Sequence, residues 1–367
     1  MERILCIVDS LNTGGAETFL MKLRRALDKS DYQIDFIASD KGYYDEEVVS
    51  SGGLVHYIPF RTKQPIGAFN MIKKIVNHGN YNIVLKLGST PIAALDLLAA
   101  KKGGAEILGL RSCNSFAEEG FVYKTINKIC EPLLKTVVNL KIAPSDLAAI
   151  FTFGEQSYKN NEVHILHNAV DLDYFKFDKT KRDKMRKSLG ISENNTVYGH
   201  IGRFSNQKNH TYLIDIFKNI KDEDNNAKFV LVGTGELENQ IKEKVKKYNL
   251  SDDVMFLGVR SDIPDILSAF DLFVFPSFYE GMPNTVVEAQ ATGLPCIISD
   301  TITRQSNITG LVEFLSIDVD PKVWAEKCVS HKKERIDTTK ILQNSGYNID
   351  VIVKEFLKMT VGDRCDN

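Results

Sequence analysis

The sequence predicts an α/β protein of two units, each built on a parallel, doubly wound sheet, and three observations lead there. Short apolar runs alternate with helix-period segments along the chain. Most of those runs are apolar throughout, the pattern of strands covered on both faces. The alternation halts near residue 168, gives way to a charged stretch from Lys176 to Lys187, and then begins again. The 367 residues also exceed what one core usually spans, roughly 250–300 residues.

In the first half Ile4–Val8 is a β-branched-rich strand leading through Asn12-Thr13-Gly14-Gly15 into a helix. Within Ala16–Leu27, Phe19, Leu20, Leu23 and Leu27 share one face. Strands are expected at Ile34–Ala38, Val55–Ile58, Ile83–Leu87, Glu106–Leu110 and Lys141–Ala143, with helices at Phe69–His78, Pro91–Lys101 and Asp146–Phe153. Phe121–Leu140 mixes apolar residues with Lys124, Lys128 and Lys135, and Pro132 is expected to split it into two helices. Its apolar and basic faces suit either packing on the first sheet or an anionic membrane surface.

The second half repeats the alternation: strand Val197–Ile201, helix His210–Ile220, strand Phe229–Val232, helix Glu236–Tyr248, strand Val254–Leu257 and helix Ile263–Phe270. Strand Leu272–Phe275, helix Asn284–Ala291 and strand Cys296–Ser299 follow, and Asn348–Thr360 reads as an amphipathic helix. Expected domains are therefore 1–168, 169–347 and a C-terminal segment 348–367. Ligands of such sheets bind outside the carboxyl ends of the strands, which directs attention to strand-to-helix loops and to a cleft between the two units.

Composition narrows the function. The net charge is −2, from 46 basic and 48 acidic side chains, which argues against a nucleic-acid-coating protein. Six cysteines, Cys6, Cys113, Cys130, Cys296, Cys328 and Cys365, form no C-x-x-C pair and no zinc spacing, so a reducing compartment and no metal are expected. The apolar run at the N-terminus is too short for a signal peptide, and no run reaches membrane-span length, so the expected location is the cytoplasm, with a peripheral contact on the inner face of the cell membrane open.

Three loops carry the chemistry. Gly14 and Gly15 lie between the first strand and helix, where backbone can approach an anion at a helix N-terminus or simply turn tightly. Gly202 to His210 supplies Arg203 and Lys208, two cations suited to a diphosphate leaving group if they converge. The segment Glu280-Gly281-Met282-Pro283-Asn284-Thr285-Val286-Val287-Glu288 joins a strand to a helix beginning near Asn284 or Thr285. That helix start suits phosphate oxygens, and Glu280 and Glu288 suit sugar hydroxyls. Taken singly, each charge reads first as a solvated surface group, and only Arg203 and Lys208 taken as a pair make the functional reading competitive. The dinucleotide pattern G-x-G-x-x-G is absent: Gly233-Thr234-Gly235 meets Glu238 at its third glycine position, which counts against a nicotinamide-dependent dehydrogenase.

Taken together, these motifs resemble the retaining glycosyltransferases of family 4, with the GT-B architecture of two Rossmann-like parallel-sheet domains facing a cleft. The chain looks most like bacterial transferases of capsular and exopolysaccharide synthesis, and the likeness is strongest from about Asn168 to Trp324. The family's paired glutamates fall on Glu280, contacting donor sugar hydroxyls, and Glu288, contacting the ribose. Its Gly-Arg…Lys loop falls on Arg203 and Lys208, holding the diphosphate. Its Gly-Gly-Ala-Glu loop falls on Gly14 to Glu17, and His-Asn-Ala-Val-Asp at 167–171 resembles its hinge. Where relatives carry His-Ser-His-Asn this chain reads Arg111-Ser112-Cys113-Asn114, and a second histidine motif falls on Leu85-Lys86-Leu87. Arg111 or Asn114 is the expected substitute on the sugar or acceptor side.

The resemblance implies transfer of a hexosyl or N-acetylhexosaminyl group with retention, from a nucleotide sugar, most simply a UDP-sugar, to a glycan or undecaprenyl-linked acceptor. No metal or other cofactor is implied. Two rivals share the architecture: a nucleotide-sugar 2-epimerase, which needs no acceptor, and a non-catalytic nucleotide-sugar-binding subunit.

Overall fold

The computed structural model describes residues 1–113, 121–331 and 334–362, with side chains omitted for 121–124. The chain divides into two compact units: Met1–Ala169 with Ile349–Asn367, and Val170–Asn348.

The first unit is a seven-stranded parallel sheet. It begins β1 (Glu2–Ile7), α1 (Gly15–Ala26), β2 (Tyr32–Ala38), α2 (Asp45–Ser50), β3 (Val55–Tyr57), α3 (Pro65–Gly79) and β4 (Ile83–Leu87). It continues α4 (Ala94–Gly103), β5 (Ile107–Arg111), α5 (Phe121–Val137), β6 (Leu140–Ala143), α6 (Asp146–Phe153), α7 (Glu155–Lys159) and β7 (His164–Ile165). The sheet order is β3-β2-β1-β4-β5-β6-β7, so the winding reverses between β1 and β4. Alternate residues fill two cores. Leu5, Ile7, Val84 and Leu108 pack under α3, α4 and α5 on one face, and Ile4, Cys6, Phe36 and Leu85 under α1 on the other.

The second unit begins with α8 (Leu172–Phe175) and α9 (Lys179–Ser188), then β8 (Val197–Ile201), α10 (His210–Glu223), β9 (Lys228–Val232), α11 (Glu238–Lys247) and β10 (Val254–Phe256). Next come α12 (Ile263–Ala269), β11 (Leu272–Phe275), α13 (Asn284–Ala291), β12 (Cys296–Ser299), β13 (Val312–Leu315), α14 (Pro321–Val329) and α15 (Thr339–Asn344). Its six parallel strands are ordered β10-β9-β8-β11-β12-β13, with the reversal between β8 and β11. The last helix, α16 (Ile349–Val361), belongs to the first unit, where Ile352, Phe356 and Leu357 enter the core beside α1.

Two sequence expectations change. Pro132 does not split its segment: α5 runs through it. The ring lies on the exposed face while Cys130, Leu134 and Val137 stay buried, so packing on both sides of the proline holds one helix despite the lost backbone donor. The charged stretch from Lys176 to Lys187, to which the sequence pattern assigns no secondary structure, is largely helical. It contains α9, capped by Asp178, whose Arg182 and Arg186 reach Asp271 at 2.9 and 2.5 Å. Arg186 is 4% exposed, which helical apolar periodicity could not signal.

Candidate active site

The second unit's sheet reverses between β8 and β11, and the loops leaving those two strands carry Lys208 and Glu280. They are stitched together by backbone. Phe278 N donates to Gln207 O at 2.9 Å, and Gln207 Nε2 donates to Tyr279 O at 2.9 Å. On this frame Lys208 Nζ meets Glu280 Oε1 at 2.5 Å, both side chains largely buried, with the ammonium 4.7 Å from the Phe275 ring centroid. An ion pair shielded from water keeps far more of its strength than one on the surface. The pair is thus a held corner of opposite charges at the carboxyl end of the sheet.

The glycines nearby serve this frame. A Cβ at Gly202 would stand 2.9 Å from His200 Nε2 and 3.3 Å from the Lys208 side chain. Gly233 adopts φ +127°, and a Cβ there would stand 2.2 Å from Gly202 O. The Gly233-Thr234-Gly235 turn therefore lets the loop after β9 lie against the loop after β8, sealed by Phe204 N donating to Thr234 O at 3.0 Å.

Beneath Lys208 lie two buried histidines. His200 and His210 meet edge to face, ring centroids 4.8 Å apart, with His200 stacked on Phe275 and His210 on Phe204. His200 Nδ1 is 2.9 Å from Val274 O, whereas His200 Nε2 and both His210 ring nitrogens have no hydrogen-bond partner among the described residues. Burial pushes His200 down to about 3 and His210 down to about 2, so both are neutral at physiological pH. Neutral rings place no like charge near Lys208, whose own charge helps keep both neutral.

Glu280 and Glu288 are 7% and 6% exposed, neither a solvated surface group. Glu288 lies within α13, whose N-cap is Pro283, a residue with no side-chain cap to offer. Gly281, Met282 and Pro283 are buried, and Asn284 and Thr285 half-buried at the helix start. Ser277 Oγ, wholly buried at the end of β11, has no hydrogen-bond partner among the described residues; sequence patterning did not single it out. Arg203 does not join the corner: its Nε and Nη2 sit 3.2 and 3.1 Å from Glu236 Oε2, and its side chain is 73% exposed.

In the first unit Gly14 is the N-cap of α1 and Gly15 its first residue. Glu17 folds back over this turn, where its carboxylate would stand 2.2 Å from a Cβ at Gly14. Desolvation raises the Glu17 pKa, with the Asp9 charge adding to it. Arg111 ends β5 at 3% exposure. Its Nη2 donates to Asn168 Oδ1 at 2.6 Å and its guanidinium lies 3.8 Å over the Phe19 ring, while burial lowers its pKa to about 10. Asn114 lies outside the described residues. Cys113 stands beside that segment, its thiol pushed up to about 11 by burial.

Two Rossmann-like parallel-sheet units, the second with a lysine–glutamate corner at its switch point, make up the GT-B architecture. The family model described as "Glycosyl transferases group 1" matches residues 181–339. The Bacillus subtilis protein named glycosyltransferase EpsF is 34% identical over 331 residues, 89% of this chain and 86% of that protein. The chain belongs to the group 1 glycosyltransferases. The Escherichia coli UDP-Gal:alpha-D-GlcNAc-diphosphoundecaprenol alpha-1,3-galactosyltransferase is 42% identical over 142 residues, 38% of this chain and 37% of that enzyme. The crystal structure of Anabaena HepE in complex with UDP-glucose superposes with a TM-score of 0.79 at 20% identity, covering 98% of this chain and 99% of that one.

Proposed function

We propose that the protein is a retaining, metal-independent transferase that moves a hexosyl or N-acetylhexosaminyl group from a UDP-sugar to a lipid-linked glycan in capsule, exopolysaccharide or O-antigen synthesis. The observation that carries this reading is the Lys208–Glu280 corner one loop ahead of α13. As the bond from the anomeric carbon to the phosphate oxygen breaks, negative charge builds on the diphosphate. Lys208 and the backbone N–H groups at the start of α13 meet that charge, and Arg203 adds a second cation from the rim. Glu280, held by Lys208, accepts hydrogen bonds from donor sugar hydroxyls, and Glu288 serves the ribose. The acceptor oxygen bonds the anomeric carbon on the face the diphosphate leaves, and its proton passes to the departing phosphate oxygen. This route needs neither a protein base nor a metal.

The donor and acceptor classes rest on relatives: the E. coli enzyme is named for a UDP-sugar and a diphosphoundecaprenol acceptor, and the Staphylococcus aureus relative CapH, 22% identical over 353 residues, for capsular polysaccharide biosynthesis. The test is transfer from UDP-galactose, UDP-glucose and UDP-N-acetylglucosamine to an alkyl-diphospho-N-acetylglucosamine, followed by NMR. The expected product keeps the donor's α configuration, requires the acceptor and forms equally in EDTA. A β product would overturn retention, and a sugar change without acceptor would favour the epimerase.

Among the described residues no helix is long and apolar enough to cross a membrane. A peripheral contact is proposed through α3 and α5, where Ile66, Met71 and Ile129 are 75%, 39% and 72% exposed amid exposed Lys73, Lys74 and Lys128. Sedimentation with vesicles containing anionic lipid should carry the protein down, and Ile129→Glu should reduce it; equal sedimentation of the two would remove this contact.

A further inference from the structure

The first unit's sheet also has a switch point, between β1 and β4, and an unusual cluster sits on it. Lys86 lies inside β4, paired in register with Ile7 of β1, in a strand otherwise apolar. It is 6% exposed. Its Nζ is 3.5 Å from Asp96 Oδ2 on α4 and 3.7 Å from Asp9 Oδ1, just beyond β1. Arg61 closes the figure: Nε lies 2.7 Å from Asp96 Oδ2, and Nη1 lies 3.2 Å from Asp9 Oδ1 and 3.1 Å from Ser39 Oγ. Two cations and two carboxylates thus alternate around a ring drawn from β1, β4, α4 and the segment after β3.

The ring is lopsided. Asp96 is 7% exposed, whereas the Asp9 side chain is 88% exposed although two cations stand 3.2 and 3.7 Å from it. Arg61 Nη2, shut away from solvent, has no hydrogen-bond partner among the described residues. A ring that only closed the sheet end would gain more by burying its fourth corner and satisfying its last donor. Instead two members, Arg61 and Lys86, face Asp9, a carboxylate open to solvent where open α/β sheets bind ligands. A carboxylate is an acceptor-only group that can bridge two neighbouring hydroxyls, and one already held in place loses little freedom on binding. Two cations face two ring carboxylates with the Glu17 carboxyl group close by, so the site has no positive excess to attract an anion, and the matching ligand chemistry is a neutral polyol.

We propose that Asp9, oriented by Arg61 and Lys86 over Asp96, is a hydroxyl-recognising subsite of the first unit that takes the acceptor sugar. Asp9 is the contacting group, and Arg61, Lys86 and Asp96 are positioning residues. This rests on the transferase reading, because only a transferase has an acceptor to place there.

The test is saturation-transfer NMR on the full chain with UDP bound, using the methyl α-glycosides of glucose, galactose, mannose and N-acetylglucosamine as probes. At least one glycoside should receive saturation from the wild type. Asp9→Ala and Asp9→Asn should each reduce that signal at least fivefold, with the UDP signal and the melting midpoint unchanged. Glu280→Gln, which alters the other unit, should keep the glycoside signal. Equal glycoside signals in the wild type and Asp9→Ala, or none in a wild type that binds UDP, would overturn the subsite and leave the donor site standing. A wild type that gives no UDP signal would overturn both.

Discussion

Each unit places a lysine and a carboxylate at its sheet's switch point, and the two arrangements divide the labour differently. In the second unit Lys208 sits on a loop, faces one carboxylate, and rests on the Phe275 ring. In the first unit Lys86 is rooted in a strand, faces two carboxylates, and shares them with Arg61. In the proposed mechanism the loop lysine turns from its carboxylate partner toward a phosphate oxygen when a donor arrives. In the subsite proposed above the strand lysine stays in place, its Nζ 3.5 and 3.7 Å from two carboxylates, and what it offers a ligand is the carboxylate it faces. On these two proposals one residue pair serves as a movable clamp in one unit and as a fixed support in the other.

If this contrast is right, the locked lysine should matter most to stability. Lys86→Met leaves Asp96 buried with one cation fewer, and loss of a partner from a buried pair costs about 3 kcal/mol. A urea titration should show the midpoint of the first unit falling accordingly. A shift no larger than that of Lys208→Met would erase the distinction.

The next effect tests the floor beneath the clamp. His200 and His210 have folded pKa values depressed to about 3 and about 2, against roughly 6.5 when unfolded. Below about pH 6.5 the unfolded chain takes up protons that the folded rings refuse, so stability is complete above that pH and falls as pH drops toward about 3. Between pH 7 and 5 this loss amounts to about 2 kcal/mol for each ring. His210→Phe removes one of them and leaves no hydrogen bond broken, since both His210 nitrogens lack partners among the described residues. Its unfolding free energy should therefore change less between pH 7 and 5 than that of the wild type, and an equal change would show that the rings are not held neutral. The smallest effect belongs to Arg203→Ala: the arginine's pair with Glu236 is exposed, so melting should shift by less than about 0.5 kcal/mol while donor affinity weakens.

The second unit's candidate loops were legible in sequence because they lie between strongly periodic elements. Apolar strands placed Gly202 to Lys208 and Glu280 to Glu288 at strand ends, and the family likeness gave them order. What the pattern could not show was pairing, since Lys208 meets Glu280 seventy-two positions away while Arg203 turns to Glu236. The strand Val312–Leu315 and the helix Pro321–Val329 were not anticipated, for both are short and only partly apolar. The first unit's ring was invisible for a physical reason. Lys86 interrupts an apolar run as a lone charge, and its partners come from three other segments that only the folded sheet brings together. Arg111, expected with Asn114 as an alternative on the sugar or acceptor side, stacks on Phe19 and bonds Asn168 in the interior, contacts that sequence spacing could not show.

The measurement that bears most directly on the central claim is a calorimetric titration of UDP into the wild type and Lys208→Met, both shown to be folded by circular dichroism. The clamp reading predicts saturable binding to the wild type and affinity at least tenfold weaker in the variant. Equal affinity in the two would contradict it, because the diphosphate would then be held somewhere other than the corner where Lys208 meets Glu280.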